Sequence, residues 1–139
     1  MIITLILFLV FVTISALHFY WGFGGKWGSN AVIPTNDEGV PLFIPRTIST
    51  LIIAIGLLGF GMFYLVKYGL ITTNLPEWLN KYGFLIIISI FILRGIGDFN
   101  FIGLFKKHKS SEFAINDTKY YTPLCLVIVL LTLTLVLSN

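Results

Sequence analysis

The stretch ILRGIGDFNF, Ile92 to Phe101, puts an arginine and an aspartate four positions apart inside one of the most apolar regions of the chain. Residues with that spacing share a helical face, so Arg94 and Asp98 are expected to pair with each other. An unpaired charge at bilayer depth costs roughly 2.5 to 3.5 kcal/mol on insertion scales, which drives such groups toward a protein interior and a partner. Pairing would also hold Asp98 ionised, against a role as a free proton carrier near neutral pH. His18 stands three residues before Trp21 at the end of the first apolar stretch. Histidine changes charge readily near neutrality, which makes it a candidate acid or base. Arg46 opens the second apolar stretch, and Asp117, Tyr120 and Tyr121 precede the last. The candidate ligand-binding set is His18, Trp21, Arg46, Arg94, Asp98, Asp117 and Tyr121, with His18 and Asp98 the candidates for catalysis. The plainer alternative makes His18 an interfacial residue and Trp21, Trp27, Tyr120 and Tyr121 belt aromatics.

The elements that must position these residues follow from composition. Of 139 residues 57% are hydrophobic and 11% charged, and the mean hydropathy is +0.95. A water-soluble domain could hardly cover that much apolar surface, so an all-α bundle of four transmembrane helices is expected. Residues 1–139 are read as a single integral membrane domain, with spans at about 2–21, 46–66, 82–105 or 82–98, and 121–138. The first span lacks a basic leader and a small-residue cleavage site, so it reads as an anchor and not as a removable signal. Pro45 and the Thr122–Pro123 pair suit helix starts. Gly56, Gly59 and Gly61 in GLLGFG would let another helix approach, which leaves room for a homo-oligomer.

The third span is the ambiguous one. Only twelve uncharged residues run from Tyr82 to Leu93, reaching about 18 Å against a hydrocarbon core of about 30 Å. Either the helix continues to Phe105 and carries Arg94 near its middle, or the glycines at 95, 97 and 103 stop it near Arg94. In the second case FNFIGLF returns as an interfacial or re-entrant segment.

Basic residues give an orientation. Six Lys and Arg fall in the first and third loops and two in the second, which places the first and third loops in the cytoplasm and both termini outside. Lys106, Lys107 and Lys109 of FKKHKSS read as a solvated, positively charged loop that also attracts anionic lipid heads. The net charge of +3 is explained by topology, so no nucleic acid partner is expected. A single cysteine, Cys125, excludes an intrachain disulfide and any cysteine-rich metal centre. HExxH, GxSxG and phosphate-loop patterns are absent, so no metal and no cofactor are expected, and hydrolase chemistry has no positive support.

Three elements, ALHFYWGFGGKWG, RGIGDFNFIGLFKK and FAINDTKYYTPLCL, together resemble the bacterial domain-of-unknown-function family 3995, small integral membrane proteins expected to have four helices. That resemblance implies the fold and a bacterial cytoplasmic (inner) membrane location, and it carries no activity. Three functions stay open. The chain is a protein that binds or acts on a lipid-like small molecule at the His/Arg/Asp cluster, a membrane interaction or immunity-type subunit without catalysis, or a small transporter. Membrane lipids are partners in all three. An enclosed cavity between His18 and Arg94 would favour the first; a filled core with open glycines on the second span would favour the second.

Overall fold

A computed structural model of the chain describes residues 1–138. Helix α1 spans Ile2–Gly22, the short α2 Ser29–Val32, α3 Thr47–Lys67, α4 Glu77–Ile96, α5 Glu112–Asn116 and α6 Thr122–Leu137. One π-helical turn, Asp117–Tyr121, joins α5 to α6. Glu112–Leu137 is thus one apolar helical run of 26 residues, and with α1, α3 and α4 it makes four helices long and apolar enough to cross a membrane. The chain is all-α and, by the length and composition of these helices, a multi-pass membrane protein.

Three of the long helices, α1, α3 and α4, meet on aromatic rings. Phe11 of α1 stacks on Tyr64 of α3 with centroids 5.8 Å apart and meets Phe91 of α4 edge-on at 5.5 Å. Gly61 lets α1 and α3 pack closely, because a Cβ there would lie 3.2 Å from the Phe11 Cβ. Ser15 adds a hydrogen bond across the same pair, its hydroxyl donating to the Ala54 carbonyl at 2.7 Å. On the α6 side the Thr132 hydroxyl donates to the Ile128 carbonyl at 2.7 Å, so the Tyr64 hydroxyl is the donor to Thr132 at 2.6 Å. Buried hydroxyls in an apolar bundle need such acceptors.

The third span departs from the sequence reading at its start and settles the alternative left open at its end. It begins at Glu77, behind Pro76, instead of at Tyr82. Its 20 residues then reach about 30 Å before the helix stops. Glu77 sits in the first turn, where a carboxylate suits the positive end of the helix dipole. Lys67 from the end of α3 caps the neighbouring Asn80 through its carbonyl and side chain. The helix ends at Ile96, since Gly97 has φ +82° and a Cβ there would come within 1.8 Å of the Ile102 carbonyl oxygen. The shorter of the two expected geometries is the one observed, and residues 97–111 form a turn without helix.

Candidate functional site

Arg94 lies in the last turn of α4 and Asp117 at the start of the π-helical turn, so one end of the bundle brings them together. The Arg94 Nη2 donates to Asp117 Oδ1 at 2.8 Å. Asp117 Oδ2 accepts from the Gly103 backbone N–H at 2.8 Å and from Lys106 Nζ at 3.1 Å. Lys106 also donates to the Gly103 carbonyl at 3.0 Å. Asp117 is 0% and Lys106 3% exposed, while about a third of the Arg94 side chain, 32%, stays open. Two cations and a backbone N–H thus occupy one fully buried carboxylate. This clamp ties the end of the third span, the turn after it and the entry to the fourth span to one point.

The expected partner of Arg94 is therefore corrected. Asp98 does not reach it, because the helix has already ended and Asp98 is exposed in the turn. Its Oδ1 accepts from the N–H groups of Asn100 at 2.9 Å, Phe101 at 2.8 Å and Ile102 at 2.9 Å. Slight burial pushes its pKa up, but the N–H donors of Ile102, Phe101 and Asn100 outweigh that and hold the carboxyl below its ordinary value. Lys106 is corrected as well, since it is a buried ion-pair member and not a solvated loop lysine.

The remaining candidates serve other contacts. His18 is half-buried; its Nδ1–H donates to the Ile14 carbonyl at 2.8 Å and its ring meets Trp21 edge-on at 5.4 Å. None of its hydrogen bonds reaches Arg94, Asp98 or Asp117. Trp21 Nε1 donates to the Trp27 carbonyl at 2.8 Å, folding the start of the first loop back on α1. The Arg46 side chain is exposed at the start of α3, where its carbonyl accepts the Ser49 and Thr50 hydroxyls. Tyr121 reaches across from the last span and donates to the Ala31 carbonyl at 2.9 Å. A second strap joins the loops: Asp37 accepts from Ser110 at 2.9 Å and pairs with His108 at 2.6 Å. The hydrogen bonds to His108 and then Ser110 pull the Asp37 pKa below the ordinary carboxylate value.

No group of three or more His, Cys, Asp or Glu among the described residues is arranged to hold a metal ion. An apolar groove of about 190 Å³ runs between α3 and α4, lined by Gly56, Gly59, Phe60, Phe63, Gly83 and Ile86 among others. A Cβ on Gly56 or Gly59 would meet nothing within 4 Å, so this groove is open.

These features belong to a four-helix membrane architecture whose ionisable centre is a buried two-cation, one-carboxylate clamp. The chain is a member of the family described as Protein of unknown function (DUF3995), whose model matches residues 11–132. No curated protein and no solved structure matches it.

Proposed function

We propose that this protein is a non-catalytic interaction subunit, a single integral membrane domain that receives an apolar transmembrane helix of another protein or of a second copy. The observation that carries this reading is the open groove between α3 and α4, where Gly56 and Gly59 leave space for a helix backbone to come close. The state of the ionisable groups supports it. Asp117 is enclosed by its own partners and Asp98 is occupied with backbone N–H groups, so neither carboxylate is presented to a substrate. The aromatic core is closely packed across α1, α3 and α4. The six-to-two distribution of basic residues supports an orientation with the clamp end facing the cytoplasm, and the family resemblance supports a bacterial cytoplasmic membrane as the setting.

A photo-crosslinking side chain placed at Ile86, on the groove wall, tests the reading in the native membrane. Capture of a discrete membrane polypeptide, abolished by Gly59→Leu, supports it. Adducts with lipid alone, unchanged by Gly59→Leu, refute it.

A second reading rests on one atom. Arg94 Nη1 is enclosed and has no hydrogen-bond acceptor, so an oxygen of a lipid-like molecule at that position would turn the clamp into a binding site. Native mass spectrometry of the protein released from its own membrane decides the point: a retained ligand that Arg94→Lys loses favours this reading, and none disfavours it.

A further inference from the structure

The turn after the third span is stiff at its base and apolar at its tip. Gly97 and Gly103, both at positive φ, pack backbone against backbone, with the Gly97 Cα 2.6 Å from where a Cβ on Gly103 would sit. The Leu104 N–H donates back to the Gly95 carbonyl at 2.9 Å, and the Asn100 carbonyl accepts from both Lys107 and His108, each at 2.9 Å. The His108 ring lies flat on Phe101 with centroids 4.5 Å apart. From this base the chain presents Phe99, Leu104 and Phe105, which are 56%, 52% and 61% exposed, and the two phenyl rings stack at 6.1 Å. Phe99 takes φ +64°, a conformation that L residues other than glycine seldom adopt. Three large apolar side chains at the tip of a rigid turn fit poorly against water and well against the acyl edge of a bilayer.

The charges beside the tip identify the lipid. Lys107 and Lys109, two and four residues after Phe105 in the chain, are exposed. At this end of the bundle seven Lys and Arg face five Asp and Glu. Asp117 is taken up by Arg94 and Lys106, Asp37 by His108 and Ser110, and Asp98 by backbone N–H groups. Lys107 and Lys109 have no ion pair of their own among the described residues. The geometry points to residues 97–109 as an interfacial wedge that seats Phe99, Leu104 and Phe105 beneath the headgroups and holds an anionic phospholipid against Lys107 and Lys109. This surface is separate from the α3–α4 groove and does not depend on it.

The test uses the full chain in bilayers of phosphatidylcholine alone or mixed with phosphatidylglycerol. A spin label at Phe105→Cys, with the buried Cys125 left in place, reports depth through its relative access to oxygen and to a water-soluble nickel chelate. Native mass spectrometry of the unlabelled protein reports retained phosphatidylglycerol. The label is expected to favour oxygen, as a lipid-facing site does, and Lys107→Gln with Lys109→Gln is expected to lower the preference for the anionic lipid about thirtyfold, at about 1 kcal/mol per basic residue. Both substitutions are at exposed positions, so folding is not at stake. Preferential access to the nickel chelate would place the turn in water and overturn the proposal. Exclusion of both reagents would place it in a protein contact and overturn it too, as would an unchanged lipid preference in the double variant.

Discussion

Removing the Asp117 carboxylate should be among the most damaging single changes in this protein. Asp117→Ala leaves Lys106, 3% exposed, with only the Gly103 carbonyl as acceptor, and leaves the Gly103 N–H and Arg94 Nη2 without their partner. Stripping one member from a buried ion pair costs about 3–5 kcal/mol, most of it from the uncompensated charge left behind. Arg94→Ala should cost less, about 1–2 kcal/mol, because a third of its side chain is already solvent-screened and Asp117 keeps Lys106. The two changes share one contact and should couple by about 1–2 kcal/mol in a double-mutant cycle. Asp98→Ala removes an acceptor from three N–H groups that water can reach, a loss of about 1 kcal/mol. With no partner in common, Arg94 and Asp98 should be additive within about 0.5 kcal/mol. Reversible unfolding of the single and double variants in bicelles, followed by circular dichroism, gives all the quantities. An Arg94–Asp98 coupling larger than the Arg94–Asp117 coupling would refute the reasoning, as would an Asp117→Ala variant as stable as the parent.

Gly97→Ala and Gly103→Ala should each destabilise by at least about 1–3 kcal/mol, because the added Cβ meets backbone and φ is positive at both sites; Gly59→Ala, in open space, should stay within about 0.5 kcal/mol of the parent in the same unfolding assay. Tyr64→Phe should cost about 1 kcal/mol, since Thr132 loses a donor but keeps its own bond to Ile128. In the folded protein the Asp98 pKa lies below the ordinary carboxylate value. Its contribution is therefore fully present above the unfolded pKa and is lost as pH falls through the folded one. Asp98→Asn should accordingly show a smaller loss of stability than the parent on acidification below pH about 4, in unfolding midpoints taken across pH.

The helices that span the bundle were largely legible because an apolar run long enough to cross a bilayer has few other fates. The expected spans at 2–21 and 46–66 lie within a residue of Ile2–Gly22 and Thr47–Lys67. The expected start of the third span at Tyr82 falls five residues late because the uncharged run begins only after Lys81, whereas the helix begins at Glu77. A charged residue does not end a helix at a membrane face, where a long side chain extends to the headgroups. The sequence held a usable signal, a proline followed directly by an acidic first turn. With those five residues restored, the helix spans without placing Arg94 at mid-depth. Spacing along one helix then named the wrong carboxylate for Arg94: the i, i+4 rule applies only while the helix lasts, and Gly97 ends it first. Asp117 was among the candidates on the strength of its position before the last span. Lys106 was not, because a lysine among other basic residues carries no local mark of burial. Its fate is decided by the return of the turn onto Asp117, and the Gly103 N–H that completes the clamp is a backbone group invisible to residue type.

The burial of Lys106 bears most directly on whether the clamp exists. Amine acetylation of the full-length protein in nanodiscs, followed residue by residue by mass spectrometry, measures it against its neighbours. Lys107 and Lys109 should be modified rapidly, and Lys106 on the order of tenfold or more slowly, with Asp117→Asn bringing its rate toward theirs. Equal rates for Lys106 and Lys107 in the unmodified protein would contradict the clamp.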